Sequence, residues 1–191
     1  MMYDMDIDMY FPTVIGSVVN IDLQEKMLPI VEDILQDESK LTYEWGYKNT
    51  YTGYEGIEQA PEMNEFIEFI QEIGEQYLNN LGYISPGLNP TIFASQMFQG
   101  DKHPRHCHSN ATLSGVFYLD CPPGSSDIVF YDPRNFRDVK CLSTIEQNSL
   151  NSPNCNYSPQ PGLLLLWESW IHHEVLENKS ETGRTTLVFN A

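Results

Sequence analysis

Residues 91–120 read TIFASQMFQGDKHPRHCHSNATLSGVFYLD and contain two runs of apolar and β-branched residues, which are typical of β-strands. The chain after Pro90 repeats this pattern. The runs with strand character are Thr91–Phe98, Thr112–Asp120, Asp127–Tyr131, Leu163–Ser169 and Arg184–Phe189. Clusters of Pro, Gly, Asn and Ser lie between them, and no helical pattern separates them. Such a series predicts an antiparallel sandwich or barrel rather than a parallel sheet with interleaved helices.

The residues before Pro90 have the apolar spacing of helices. Leu23–Leu35 repeats apolar residues at helical intervals, and Asp22 followed by Glu25 forms a capping-box pattern at its start. Pro29 lies inside this helix and predicts a kink or a split into two helices, because proline lacks the backbone N–H group.

A second helix is predicted over Met63–Leu81, with Gly82 placed to end it. The segment Leu41–Gly56 is rich in Tyr and Gly, and its sequence fits either a hairpin or an ordered loop. The predicted fold class is therefore mainly β (α+β). We expect one domain over residues 1–191, with helical and irregular support from residues 1–89 and a β core from residues 90–191.

Composition and charge exclude several classes of protein. The chain has 191 residues, of which 41% are hydrophobic, as expected for a folded domain with a core. Ten Lys and Arg residues against 27 Asp and Glu residues give a net charge of −17, which argues against partners such as nucleic acid or a membrane surface. The first eleven residues lack the basic residues of an export signal, so we expect four reduced cysteines and a cytoplasmic location.

The five histidines are concentrated in two short segments. His103, His106 and His108 lie before the Thr112–Asp120 strand, and His172 and His173 follow the Leu163–Ser169 strand. In an extended strand, side chains two residues apart point to the same face, so His106 and His108 could bind one metal ion. A His-x-His pair alone is a weak signal, and its side chains could equally be surface or hydrogen-bonded histidines.

The order of these segments resembles that of the iron(II)- and 2-oxoglutarate-dependent oxygenases, in particular a subgroup frequent in bacteria and their phages. The matching segments are residues 100–108, 113–119, 130–134, 169–175 and 184–190. The resemblance implies a double-stranded β-helix, or jelly roll, with the N-terminal helices packed outside. It also implies an enzyme that uses Fe(II), 2-oxoglutarate and O2 to hydroxylate a small molecule or peptide, with release of succinate.

The resemblance further implies that His106, His108 and His173 hold the iron. The wider superfamily has an acidic residue where this chain has His108. Three alternative ligand sets for the iron therefore stay open. They are three histidines, two histidines completed by water or Asn110, or a register in which His103 takes part. At the distal position His173 matches the family's ligand, and His172 is the alternative.

For 2-oxoglutarate, the resemblance implies that Arg184 binds the far carboxylate, with help from Thr186 or Tyr118. Ser114 shares a strand face with Tyr118 and is a further candidate for the same pocket. A guanidinium group forms two parallel hydrogen bonds with a carboxylate, which suits this role.

Two other classes of protein remain possible on the sequence. A cupin-like metalloprotein or metalloenzyme has a similar barrel and histidines but does no 2-oxoglutarate chemistry, and Arg184 with Thr186 argues against it. A jelly-roll binding or virion protein would need no metal. The substrate is not predicted, although specificity would come from the helices and from loops such as Tyr43–Tyr54 and Arg134–Ser158.

Overall fold

The structure, a computed structural model, describes residues 5, 8, 10–51, 56–134 and 143–191. These residues form ten β-strands and two α-helices. The strands are β1 (Ile15–Val19), β2 (Lys48–Asn49), β3 (Thr91–Met97), β4 (His103–His106), β5 (Leu113–Asp120), β6 (Ile128–Tyr131), β7 (Asn154–Tyr157), β8 (Leu163–Glu168), β9 (His173–Val175) and β10 (Arg184–Asn190). The helices are α1 (Ile21–Gln36) and α2 (Asn64–Asn80).

The strands form two antiparallel sheets that face each other. The larger sheet has the order β1-β8-β5-β10-β3-β2, and the smaller sheet has the order β4-β9-β6-β7. Every paired strand in these sheets is antiparallel. Two antiparallel sheets with these crossovers form a jelly roll, which confirms the predicted fold class.

The central strands β5 and β10 have two buried faces with different neighbours. On one face, Phe117 and Phe189 belong to the core cluster that also contains residues of both helices. On the other face, Val116 and Tyr118 point between the sheets and pack with Trp167. The helices therefore cover the outer face of the larger sheet, as predicted, and the space between the sheets is left for a site.

All five strands that the sequence predicts are present, with ends shifted by at most one residue. The other five strands are not among the runs with strand character, although a hairpin around β2 and an extended segment around β4 were expected. Three of them, β2, β4 and β9, have only two to four residues, and β1 and β7 have five and four. Short, partly polar segments carry little periodic signal, and their strand conformation depends on pairing with a neighbour.

Helix α1 differs from the prediction at two points. It begins at Ile21 because Asn20, and not Asp22, is its N-cap, with the Asn20 side chain accepting a hydrogen bond of 3.0 Å from the backbone N–H of Leu23. Pro29 lies inside one continuous helix rather than between two. The apolar residues on both sides of Pro29 pack in one core, which outweighs the loss of one backbone hydrogen bond.

Helix α2 ends as the sequence predicts. Gly82 has a φ of 84°, and its N–H group donates to the carbonyl of Asn79 at 3.0 Å. The N–H group of Tyr83 donates to the carbonyl of Leu78 at 2.9 Å, which completes a Schellman motif. This left-handed conformation favours glycine at position 82.

The segment Leu41–Gly56 contains a small hairpin. Thr42 and Asn49 form an antiparallel bridge, and β2 continues from it to pair with β3 at the edge of the larger sheet. Residues 52–55 lie outside the described residues. The hairpin alternative is therefore correct for the described part, which brings the aromatic residues of this segment next to β3.

Candidate metal centre

Three histidines converge at the end of the smaller sheet. His106 ends β4 and lies directly opposite His173, the first residue of β9. His108 lies beyond the end of β4, where its backbone N–H donates to the carbonyl of Ser169 at 2.9 Å. The potential ligand atoms of the three side chains all lie within 4.8 Å of one another, close enough to hold one metal ion. His108 thus reaches the site from outside the strand and not, as expected, from the same strand as His106.

Each of these imidazoles is held by a hydrogen bond at Nδ1. In His106 this atom lies 2.8 Å from the carbonyl oxygen of Pro104, and in His173 it lies 3.0 Å from the carbonyl oxygen of Ile171. A carbonyl oxygen can only accept, so Nδ1 carries the proton and Nε2 is left with a free lone pair. Metal-binding histidines in proteins are commonly oriented in this way.

The third histidine is held by a buried polar network. Nδ1 of His108 lies 2.7 Å from Oγ of Ser114 and forms a short hydrogen bond with Oδ1 of Asn190. Oγ of Ser114 donates to Oδ1 of Asn190 at 2.8 Å and lies 2.7 Å from Oγ of Ser169. Because Ser114 is already donating to Asn190, the proton shared with His108 belongs on Nδ1 of the imidazole. Nε2 of His108 is therefore also a free acceptor.

The space between the imidazoles fits a cation. Nε2 of His106 and Nε2 of His108 lie 3.0 Å apart. With both Nδ1 atoms protonated, two lone pairs face each other at this distance, an arrangement that a shared proton or a metal ion would stabilise. Three neutral imidazoles suit iron, zinc, copper or nickel. The donor set of this chain therefore fits an iron(II) ion.

Burial keeps these side chains in the metal-binding form. Burial, together with the neighbouring His106, lowers the pKa of His108 to about 4 and the pKa of His173 to about 3, and burial is the larger cause. Burial also lowers the pKa of His106. Neutral imidazole is the form that binds a metal ion, so little proton competition is expected at neutral pH.

The two other histidines lie outside this group. His103 lines a cavity between the two sheets that the three histidines also line. Its Nδ1 forms a hydrogen bond of 2.8 Å with the hydroxyl group of Tyr47. Its ring centroid lies 4.2 Å from that of His106. His172 is exposed, whereas His173 is buried. Asn110 lines the cavity but is exposed.

Arg184 is buried opposite the histidines and has no carboxylate partner among the described residues. Its side chain is 3% exposed. One terminal nitrogen donates to the carbonyl and to the hydroxyl oxygen of Ser126, at 3.0 and 3.2 Å, and the other lies 3.1 Å from Sδ of Met97. Nε has no hydrogen-bond partner in the part of the chain that the structure describes. A buried guanidinium without an anion is unfavourable, so this position fits a ligand that carries a carboxylate.

Three residues were expected to bind 2-oxoglutarate together with Arg184, and two of them lie beside it. Tyr118 and Thr186 face each other across β5 and β10 and line the cavity, and the Arg184 Cζ atom lies 5.7 Å from the Tyr118 ring centroid. Burial raises the pKa of Tyr118 to about 12, so its hydroxyl group keeps its proton. Ser114 does not line the cavity. Its hydroxyl group contacts His108, Ser169 and Asn190 instead.

These groups share one cavity of about 690 Å³ between the two sheets. The three histidines, Arg184, Tyr118 and Thr186 all line it. Residues of the Tyr43–Tyr54 loop also line it, as expected for a specificity loop, whereas no described residue of Arg134–Ser158 does so. Residues 135–142 of the second loop lie outside the described residues.

The sequence analysis did not predict the role of Asn190, because no local signal marks the hydrogen-bond partner of a histidine 82 residues away.

Residues 91–190 match the family model described as "Putative 2OG-Fe(II) oxygenase". The match covers more than half of the chain and includes the three histidines, Arg184, Tyr118 and Thr186. The chain belongs to the 2OG-Fe(II) oxygenase family. It is therefore an oxygenase, and the cofactors of its family are Fe(II) and 2-oxoglutarate, with O2 as a further cosubstrate.

Solved structures show the same fold at low sequence identity. A prolyl-4-hydroxylase from Pseudomonas putida has a TM-score of 0.67 and 14% identity, over 93% of this chain and 92% of that chain. A prolyl hydroxylase from Trichoplax adhaerens, solved with a hypoxia inducible factor peptide fragment, has a TM-score of 0.60 and 15% identity, over 92% and 83%. The epimerase SnoN from nogalamycin biosynthesis has a TM-score of 0.63 and 10% identity, over 93% and 76%.

No curated protein gives a significant match to the oxygenase. Among the described residues, no helix has the length and apolar character needed to cross a membrane. Family membership removes the support for a cupin-like protein without 2-oxoglutarate chemistry and for a binding protein without a metal.

Proposed function

We propose that this oxygenase hydroxylates a small molecule or peptide at an iron(II) ion held by His106, His108 and His173. The observation that carries the proposal is the shared orientation of the three imidazoles. All three have Nδ1 occupied by a hydrogen-bond partner, and their ligand atoms lie within 4.8 Å of one another. His103 is not among the histidines whose ligand atoms lie within 4.8 Å of one another, and His172 is exposed, so neither is part of the proposed ligand set.

We place the far carboxylate of 2-oxoglutarate on Arg184, with hydrogen bonds from Thr186 or Tyr118. The unpaired Nε of Arg184 supports this assignment, because a bidentate carboxylate would satisfy it and offset the buried charge. Tyr118 stays protonated and can donate to the same carboxylate. Ser114, which supports His108 instead, is omitted from the proposed cosubstrate contacts.

The described residues prepare the site before any ligand binds. The carbonyl groups of Pro104 and Ile171 keep protons on Nδ1 of His106 and His173, so their Nε2 atoms face the metal position. The rings of Trp167 and Phe130 lie 4.7 and 5.9 Å from that of His173 and exclude water from its far side. When bound, iron(II) and 2-oxoglutarate supply O2 activation coupled to succinate formation.

The proposal is tested by comparing two adjacent histidines. Purified His173→Ala and His172→Ala variants are assayed for bound iron and for succinate formed from 2-oxoglutarate in air. We expect His173→Ala to lose both and His172→Ala, the matched control, to keep both. Loss of iron in His172→Ala with retention in His173→Ala would refute the proposed ligand set. Absence of succinate from iron-loaded wild type, with and without candidate substrates, would count against the hydroxylase function.

Two broader proposals accompany this one. We propose that residues 1–191 act as a single domain, supported by β1 and β2, which come from the first half of the chain and join the same sheet as β5 and β10. We also propose a cytoplasmic location, in the host if the protein is encoded by a phage. The free thiols of Cys107, Cys121 and Cys155 are consistent with a reducing compartment.

A further inference from the structure

Aromatic side chains from three separate segments form one wall of the cavity. The aromatic wall consists of Trp45, Tyr47, Tyr51, Phe93 and His103. The Trp45 ring centroid lies 4.6 Å from that of Tyr51 and 6.3 Å from that of Phe93, and Tyr51 meets Phe93 at 5.3 Å. The hairpin that carries β2 places Trp45, Tyr47 and Tyr51 against β3, so the wall exists only in the folded chain.

The aromatic wall reaches the proposed metal position through His103. The His103 ring lies 5.0 Å from Trp45 and 5.6 Å from Tyr47 on one side, and 4.2 Å from His106 on the other. A group that packs against Trp45 is therefore separated from His106, a proposed iron ligand, by the His103 ring. That is where a substrate must lie if one of its C–H bonds is to react at the metal.

The charge of the cavity differs from that of the chain. The sequence has 27 Asp and Glu residues, yet none of the described side chains that line the cavity is acidic, and Arg184 is the only Lys or Arg among them. Arg184 is assigned above to the far carboxylate of 2-oxoglutarate. The rest of the described lining carries no Asp, Glu, Lys or Arg side chain that could form an ion pair with a charged substrate group.

The packing of the rings distinguishes a wall from a cage. Aromatic residues that bind a quaternary ammonium ion surround an open space with several ring faces. In this site the neighbouring rings are in contact with each other, with centroid distances of 4.6–6.3 Å around Trp45. These rings are tilted by 38–87° against Trp45, so the wall consists of ring faces and edges on which an apolar ring can lose water.

We propose that the substrate of this oxygenase is uncharged at the reacting end and binds by packing an apolar ring against Trp45 and Phe93. The inference rests on the proposed function, because it takes the cavity beside the histidines as the substrate site. Trp45 is half-buried and Phe93 is 7% exposed, so Trp45 supplies the larger free surface and Phe93 supports it. A ring-bearing neutral compound or an uncharged ring side chain of a peptide meets these requirements.

Three matched probes test the charge and the ring together. Benzyl alcohol, benzyltrimethylammonium and benzoate share a phenyl ring and differ in charge. Their binding to the 191-residue chain, loaded with Zn(II) and saturated with 2-oxoglutarate, is measured by saturation-transfer NMR. We expect benzyl alcohol to bind more tightly than either ion. Equal or tighter binding of benzyltrimethylammonium or benzoate, or no binding of benzyl alcohol at 10 mM, would overturn the proposal.

Variants locate the bound probe. Trp45→Ala should weaken benzyl alcohol binding at least about tenfold, and Trp45→Phe should restore most of it, because a ring is retained. Trp170→Ala is the matched control, since Trp170 is 47% exposed and does not line the cavity. Unchanged binding in Trp45→Ala, or equal loss in Trp170→Ala, would refute the aromatic wall as the binding surface. Titration with 2-oxoglutarate separates failure of the substrate proposal from failure of the proposed function. If 2-oxoglutarate binds while no probe does, the proposed substrate class is wrong and the proposed function still stands.

Discussion

Asn190, the last residue of β10, accepts a hydrogen bond at Oδ1 from Nδ1 of His108. The two residues are 82 positions apart in the sequence. Ser114 joins them, with Oγ 2.7 Å from Nδ1 of His108 and 2.8 Å from Oδ1 of Asn190. His108, which we propose as the third iron ligand, thus has its imidazole oriented by buried polar groups.

Removal of the Asn190 amide should weaken metal binding. Asn190→Ala leaves Nδ1 of His108 with Ser114 alone, and loss of such a supporting hydrogen bond typically lowers metal affinity by about 10–100-fold. Asn190→Asp keeps an acceptor at this position and should bind metal at least as tightly as wild type. The measurement is Fe(II) affinity by competition with a chelator under anaerobic conditions.

Asn89→Ala is the control for this effect, because Asn89 lines the cavity but forms no hydrogen bond with His108. Its metal affinity should equal that of wild type. Wild-type affinity in Asn190→Ala would show that the hydrogen bond does not support the metal site.

Replacement of Arg184 should affect the cosubstrate and spare the metal. A charge-assisted pair in a buried site is worth about 2–5 kcal/mol when one partner is truncated, so Arg184→Ala should weaken 2-oxoglutarate binding by about 30-fold or more. Arg184→Lys should also bind more weakly than wild type, because an ammonium group cannot form two parallel hydrogen bonds. Anaerobic calorimetric titration of the Fe(II)-loaded proteins gives both affinities.

Iron affinity should stay within about threefold of wild type in both Arg184 variants, since the guanidinium group is not among the proposed ligands. If Arg184→Ala bound 2-oxoglutarate as tightly as wild type, the cosubstrate would have to bind elsewhere in the cavity.

Stability without metal should fall at acidic pH because of the buried imidazoles. The folded pKa of His108 is about 4 and that of His173 about 3, below the ordinary value of about 6.5 for an unfolded chain. Between these values the unfolded state binds more protons than the folded state, so the free energy of unfolding rises with pH. The stabilisation is complete above pH 6.5 and is lost as the pH falls through the folded pKa values, to about 4 for His108 and about 3 for His173.

Urea unfolding with a chelator, repeated between pH 6.5 and pH 4.5, measures this slope. His173→Gln should show a shallower slope than wild type, and His172→Gln, which changes an exposed side chain, serves as the control. Identical slopes in wild type and His173→Gln would contradict the assignment, because the carboxylates that also titrate in this range are common to both proteins.

Gly115 should not tolerate a side chain. A Cβ atom there would lie 2.3 Å from Cε1 of Phe189 and 2.8 Å from the backbone oxygen of Leu165. The ring and the backbone are both fixed in the core, so Gly115→Ala should lower the free energy of unfolding by about 1–3 kcal/mol. Gly16→Ala is the matched control in the same sheet, since its nearest contacts, in Leu166 and Tyr77, are side-chain atoms. A smaller loss in Gly115→Ala than in Gly16→Ala, by urea unfolding, would contradict this explanation.

The amino-acid sequence by itself determined the main strands and both helices. Strands β3, β5 and β8 consist of mostly apolar residues that are buried on both faces, so their composition is sufficient to predict them. Helices α1 and α2 bury one apolar stripe each, and Gly82 ends α2 through a backbone conformation that few other residues adopt. Each of these signals is local, and each agrees with the tertiary packing.

Only the tertiary structure decided how the site is assembled. His108 takes its direction from Ser169 and Asn190, and Trp45 reaches the cavity because β2 pairs with β3. Pro29 stays inside α1 because the core packs on both sides of it. These outcomes depend on contacts between residues that are distant in the chain, whose free energy is gained only when the sheets close. Local composition and spacing therefore carry no signal for them.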